Sequence, residues 1–322
     1  MTTRRRILTA IATLAALAAA PLPALAEGKK LSVVATTGMI ADTARRIGGD
    51  LADVRALMGP GVDPHAYRQT RTDIVAMARA DLVLWNGLFL EAQMEDVLGD
   101  LTTRTTVRAV AEALPEEKLV AHDDYANRFD PHVWMDPTLW RDVAIEVRDA
   151  MIEEAPENKA AYQANANAFL AEIDALASYA TEALASVPEK ARVLITAHDA
   201  FNYFGRAYDF EVIGIQGIST ESEAGLNRVT SLVDMLVTQE ISSVFVESSV
   251  SDRSIRALIE GAAARGHKVR VGGELYSDAM GAPGTYEGTY IGMIDHNVTV
   301  ISAGLGGSVP ERGMVGKLGH GS

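Results

Sequence analysis

The chain has 322 residues and no cysteine. That absence excludes disulfides, thiolate metal ligands and a lipid carried on an N-terminal cysteine. An exported form must then be held by its apolar core alone, which a chain of this length can supply. Positive charge is also scarce. Against 43 Asp and Glu stand 29 Lys and Arg, a formal net charge of −14. Such a chain repels nucleic acid and anionic lipid and draws cations at long range, which argues against a nucleic-acid partner. There is no repeat of fixed period and no His-Glu-x-x-His signature. The apolar run Ile7 to Ala20 is too short for an ordinary membrane span.

What is present begins with an export signal over residues 1–26. Arg4, Arg5 and Arg6 precede that apolar run, and Ala24-Leu25-Ala26 forms a small-x-small cleavage site. Removing the segment takes away three positive charges and leaves −17. The Arg5-Arg6 pair matches the twin-arginine route only in part. The expected address is a bacterial periplasm, with the protein freely soluble, monomeric and without a lipid anchor.

The remainder reads as α/β. Leu31 to Thr37, Val54 to Met58 and Leu82 to Trp85 are strand-like, with helical spacing at Met39 to Ile47 and Thr72 to Ala80. That rhythm predicts a mainly parallel sheet. It resumes with strands at Val193 to Thr196, Val212 to Ile215, Val244 to Val246 and Val269 to Val271. Helices are expected at Leu226 to Val237 and Ser254 to Ala264. Between the two halves, Pro156 to Val187 has no internal Pro or Gly and predicts one helix, roughly 45 Å long. That length suits a connector better than a core helix. The expected architecture is two Rossmann-like lobes with mainly parallel sheets, residues 27–155 and 189–322, joined by a linker helix over 156–188. The Gly-rich segment from Ala303 onward is expected to fray.

Asp-Pro-His occurs twice, at Asp63-Pro64-His65 and Asp130-Pro131-His132. Proline fixes its own φ and extends the preceding residue, so each imidazole leaves a stiffened loop in a set direction. Two such imidazoles suit a metal site, although Asp-Pro also opens ordinary surface turns. His198 closes the Val193 strand, and Asp278 lies just past the Val269 strand. Ligands in open α/β sheets collect beyond the carboxyl ends of strands. His65, His132, His198 and Asp278 are therefore the candidate donors, with the surface-loop reading standing beside them. His267 sits in a turn, His296 lacks a partner in sequence, His122 stands in a polar stretch with Asp123 and Asp124, and His320 is in the tail.

Several longer motifs go further. They include Gly61-Val62-Asp63-Pro64-His65-Ala66-Tyr67 and Asp130-Pro131-His132-Val133-Trp134-Met135-Asp136-Pro137. Thr196-Ala197-His198-Asp199-Ala200-Phe201, Gln216 to Glu223, Phe245 to Ser249 and Gly273 to Gly281 continue them. Across nearly the whole mature chain these segments resemble the TroA-like (cluster A-I) periplasmic receptors of manganese and zinc ABC importers. The resemblance implies that His65, His132, His198 and Asp278 are the ligands. It implies Mn(II) or Zn(II) as the transported ion and an ABC importer membrane permease as the partner. The protein would be stoichiometric and not an enzyme.

The clues to the metal diverge. Nitrogen-rich sites suit zinc, and the long His- and Asp-rich loop of some zinc-specific members is missing. The Ser219 to Glu223 and Leu275 to Gly281 segments look most like manganese receptors, and a bidentate Asp278 would suit manganese. Asp63, Asp199, Glu247 and Ser248 are candidates to hold the imidazoles from behind, with Trp134 as packing. The alternative from another class is a secreted zinc-dependent hydrolase, which needs an open coordination position and a general base. A surface adhesin is a third reading, disfavoured by the missing anchor.

Overall fold

The structure is a computed structural model that describes residues 29–121, 127–221 and 224–319. The export signal, His122-Asp123-Asp124, Ser222-Glu223 and the last residues including His320 lie outside them. The first half runs β1 (Leu31–Ala35), α1 (Gly38–Gly48), β2 (Ala52–Ala56), α2 (Arg71–Arg79), β3 (Leu82–Trp85), α3 (Glu95–Leu101) and β4 (Thr106–Ala109). The strands form one parallel sheet in the order β2-β1-β3-β4. Central β1 and β3 are the apolar runs LSVVA and LVLW, buried along almost their whole length. That is what a strand covered on both faces requires. Edge strand β4 is half-buried Thr-Val-Arg-Ala, too mixed to stand out in the sequence.

The long middle follows. Asp136 caps α4 (Pro137–Glu154) by accepting from the Thr138 N–H at 2.8 Å, and Pro137 fills its first turn. A short 3₁₀ turn, Pro156–Asn158, leads into α5 (Lys159–Ala185), 27 residues or about 40 Å long. This helix does more than span the two halves. Tyr162, Ala166, Phe169, Ile173, Leu176, Ala180 and Leu184 bury one continuous stripe of α5. The helix packs against α4 and α1, and against α9 of the second half, introduced below. It is a core helix along its full length.

The second half runs β5 (Val193–Thr196), α6 (Asn202–Tyr208), β6 (Glu211–Gly214), α7 (Leu226–Thr238), β7 (Ser243–Glu247), α8 (Arg253–Ala264), β8 (Arg270–Leu275) and α9 (Tyr290–Gly304). β5 pairs with β6 and β7 with β8, both parallel. Gly273 in β8 has φ +152, and a Cβ there would lie 2.3 Å from Val300, so the glycine lets α9 close onto the strand. The fold is α/β with parallel sheets in both halves.

One large apolar core spans the two halves, from Leu31, Val33 and Leu84 through the α5 stripe to Tyr290, Ile294 and Ile301. Polar ties cross it as well. The Asp42 carboxylate accepts from the Tyr290 N–H at 2.9 Å, Trp140 stacks on Tyr290 at 5.1 Å, and the Tyr290 hydroxyl donates to the Trp134 carbonyl at 3.0 Å. As far as Gly319 the segment after Ala303 is held to the fold, although its glycines suggested fraying. Asp295 accepts from the Met314 N–H at 2.9 and 3.0 Å, and Leu318 is buried. No helix among the described residues is long and apolar enough to cross a membrane.

Candidate metal centre

The repeated tripeptide makes the same local structure twice. The Asp63 carboxylate accepts from the His65 N–H at 2.8 Å, and the Asp130 carboxylate accepts from the His132 N–H at 2.9 Å. Each is a side-chain turn two residues long, with the intervening proline holding it in place. Downstream of His65, Thr70 and Asp73 form a capping box on α2, and the Tyr67 hydroxyl donates to Asp73 at 2.8 Å. The His65 loop is thus pinned at both ends.

His65 follows β2, His198 follows β5 and Asp278 follows β8, each beyond the carboxyl end of its strand. His132 is placed differently. It enters from an irregular segment and begins the 3₁₀ turn Val133–Met135 ahead of α4. The four side chains nonetheless converge. One donor atom from each lies within 4.8 Å of every other. His65 Nε2 is 3.3 Å from His132 Nε2. Asp278 Oδ1 is 3.3 Å from His132 Nε2, and Asp278 Oδ2 is 3.2 Å from His198 Nε2 and 3.9 Å from His65 Nε2. Four donors about 2.0–2.2 Å from a shared ion in tetrahedral geometry stand roughly 3.3–3.6 Å apart. The observed spacings bracket that range. All four residues are buried, none more than 3% exposed.

Two imidazoles are fixed from behind. The His132 Nδ1–H faces Asp130 Oδ1 at 2.7 Å, and the His198 Nδ1–H faces Glu247 Oε2 at 2.5 Å. A carboxylate on Nδ1 selects the tautomer whose Nε2 lone pair points inward. His198 Nε2 and both Asp278 oxygens, all buried, then have no hydrogen-bond partner. Lone pairs that close repel unless positive charge lies among them.

In the metal-free chain, protons can supply that charge. Burial alone would lower the His132 imidazolium, but Asp130 and Asp278 outweigh it and push it up to about 9. Burial opposes the charged form of His198 too, and Glu247 and Asp278 carry it well above the usual histidine range. Burial would raise Asp278, yet the facing imidazoles hold it well below the carboxylate range. For His65 burial wins, and its pKa falls to about 3. A divalent ion can replace the protons on the other two rings.

Of the expected supporting residues, Glu247 takes up that place on a ring nitrogen. Asp63 holds the His65 backbone instead and accepts from the Thr220 hydroxyl at 2.5 Å. Asp199 contacts no imidazole; burial pushes its carboxyl up to about 6. The Ser248 hydroxyl is buried without a hydrogen-bond partner. Asp130 was read only as part of the repeated motif. The signal for its larger part was a carboxylate two residues before a candidate ligand. Trp134 packs edge-on against His132 at 5.2 Å and donates to the Ser277 carbonyl at 2.8 Å. His267 and His296 lie elsewhere, on the carbonyls of Ile241 and Glu274. His296, which looked partnerless, is a buried residue inside α9.

Residues 33–304 match the family described as zinc-uptake complex component A, periplasmic (ZnuA). The chain belongs to this family of TroA-like metal receptors. It is 47% identical over 277 residues to the manganese-binding lipoprotein MntA of Bacillus subtilis, covering 86% of this chain and 90% of that protein. It is 42% identical over 282 residues to the zinc-binding protein TroA of Treponema pallidum, covering 88% of this chain and 91% of that one. The solved structure of the T. pallidum periplasmic zinc-binding protein TroA superposes with a TM-score of 0.84 over 86% of this chain and 99% of that chain.

Membership of the TroA-like receptors replaces the hydrolase reading, since the family consists of transport receptors. The word lipoprotein in the MntA name runs against the expectation of a receptor without a lipid anchor.

Proposed function

We propose that this TroA-like receptor captures one divalent ion, Mn(II) or Zn(II), with His65, His132, His198 and Asp278, and passes it to an ABC importer permease. The carrying observation is the convergence of three inward-facing Nε2 atoms and one carboxylate in a fully buried site. The relatives named for manganese and for zinc support both ions. Three neutral imidazoles and one carboxylate suit zinc at four-coordination, and a bidentate Asp278 adds the further oxygen that manganese accepts. Asp130 and Glu247 add two buried negative charges just behind the imidazoles, which favour a dication.

The protein acts as a periplasmic, monomeric carrier without catalytic turnover, nucleic-acid partner or resident cofactor other than its cargo. Residues 27–155 and 189–322 act as two lobes with 156–188 between them, and the ligands come two from each side. The core that runs through α5 makes wide hinge motion costly, so release proceeds by local rearrangement of the ligand loops.

Thermal unfolding with saturating metal tests the reading. A thousandfold excess over Kd stabilises a native state by about 4 kcal/mol. Mn(II) or Zn(II) should raise the midpoint of the parent chain, and His132→Ala should lose that rise. No rise with either ion refutes the proposal.

A further inference from the structure

Asp278 differs from two of the imidazoles in how it is held. Asp130 and Glu247 fix the rings of His132 and His198 from behind, whereas neither Asp278 oxygen has a hydrogen-bond partner. A side chain without bonds of its own takes its direction from its backbone. That backbone is tied at one residue after another on the way to the ligand. The Leu275 carbonyl, at the end of β8, accepts from the Ser248 N–H at 3.0 Å. Asn297, from α9, holds both main-chain groups of Tyr276. Its Oδ1 accepts from the Tyr276 N–H at 2.9 Å, and its Nδ2 donates to the Tyr276 carbonyl at 2.7 Å. The Ser277 carbonyl accepts from the Trp134 indole N–H at 2.8 Å, and the Ser277 and Ser249 hydroxyls lie 3.0 Å apart.

Two of these ties stand out for where they come from. Asparagine is a poor helix former and its amide is costly to bury unpaired, yet Asn297 sits buried inside α9. The amide offers an N–H beside a C=O, as a peptide group does, so it pairs with Tyr276 as a neighbouring strand would. Trp134 comes from the other half, just past His132, and its ring packs edge-on against that imidazole at 5.2 Å. One side chain therefore sets His132 and the Asp278 loop against each other.

The direction of Asp278 matters because both oxygens enter the site. Oδ1 is 3.3 Å from His132 Nε2 and Oδ2 is 3.2 Å from His198 Nε2, so the two face different rings. A turned carboxylate would keep one oxygen among the imidazoles and lose the other. Zinc is satisfied by four donors, whereas manganese favours oxygen and a fuller shell. The second oxygen is thus worth more to manganese.

We propose that Asn297 and Trp134 are specificity-determining positioning residues: by fixing the backbone ahead of Asp278 they keep both carboxylate oxygens on the ion, which raises affinity for Mn(II) relative to Zn(II). The proposal rests on the ligand assignment above. It concerns the ratio of two affinities, so it can fail while that assignment stands.

Trp134→Phe keeps a ring against His132 and removes only the N–H from Ser277, and Asn297→Ala removes both bonds to Tyr276. Competition titrations of the full chain against a chelator, with Mn(II) and with Zn(II), read the two dissociation constants. Trp134→Phe should weaken Mn(II) about tenfold and Zn(II) by less than about threefold, and Asn297→Ala should move the ratio in the same direction. Asp278→Asn, with one oxygen to offer, should also favour Zn(II). Adding Trp134→Phe to it should then change the ratio by less than about twofold, because the second oxygen is already gone. A merely structural part would weaken both ions alike. Equal losses for the two ions, a larger loss for Zn(II), or a full further shift in the double variant overturns the proposal. A ratio within about twofold of the parent in Trp134→Phe overturns the part given to Trp134, and the same result in Asn297→Ala that given to Asn297. Loss of both ions in His132→Ala, measured alongside, shows that the ligand assignment holds whichever way the ratio falls.

Discussion

Glu247→Gln isolates the support behind His198 without touching a donor to the ion. The Glu247 carboxylate faces two donors, the His198 N–H at 2.9 Å and the Nδ1–H at 2.5 Å. A glutamine amide has one acceptor oxygen and one donor NH₂. Whichever way it turns, one donor faces another. If the oxygen stays on the backbone N–H, the ring relieves the clash by moving its proton to Nε2, the atom aimed at the metal. If the oxygen stays on the ring, a buried backbone N–H loses its partner, at about 1–3 kcal/mol. The first relief removes a donor and the second shifts the loop that carries it. Loss of such a supporting carboxylate generally weakens metal binding 10–100-fold, or about 1.4–2.7 kcal/mol. A competition titration against a chromophoric chelator, for Zn(II) and Mn(II) in turn, reads this directly. Circular dichroism of the metal-free variant should show an intact fold, and urea unfolding should show a loss of up to about 3–5 kcal/mol, because one partner of a buried pair is gone. Affinity within twofold of the parent would refute the reasoning, since it would mean that the His198 tautomer is set by something other than Glu247.

Other outcomes follow from the same geometry. His132 is held up to about 9 and His198 well above the usual range, so both carry protons at neutral pH without metal. Metal uptake at pH 7 should release about two protons, and affinity should fall on acidification; calorimetry in two buffers of different ionisation enthalpy measures the count. Glu91, wholly buried on the Thr36 hydroxyl and the Asn86 and Gly87 N–H groups, is raised by burial from 4.5 to about 7. A raised carboxyl contributes stability below its unfolded value and loses it as pH climbs through the folded one. Its share, about 3 kcal/mol, should therefore vanish between about pH 4.5 and 7. Urea unfolding of Glu91→Gln should lack that slope. Phe169→Ala, in the buried stripe of α5, should cost about 3–5 kcal/mol, whereas a mere connector would tolerate it nearly unchanged.

Much of this was legible because it is local. Each Asp-Pro-His encodes its own turn, so the direction of His65 and His132 follows from three residues. The central strands β1 and β3 show themselves as short apolar runs because both faces are covered. Other elements lack a periodic signal. Helix α9 is buried on nearly every side, so no polar face alternates with an apolar one. The core part played by α5 was hidden by its high alanine content, which reads equally as a solvated rod until its neighbours are known. The glycines after Ala303 suggested fraying, but Asp295, distant in sequence, holds that segment through the Met314 N–H. The pairing of Glu247 with His198 spans 49 residues, and only the packing of β5 beside β7 brings them together.

X-ray absorption at the zinc edge of the Zn(II)-loaded chain tests the central claim most directly. One ion per chain should show three imidazole nitrogens at about 2.0–2.1 Å with oxygen completing the shell, and His198→Ala should remove one imidazole. A spectrum without imidazole scattering, or one unchanged by that substitution, would contradict the account.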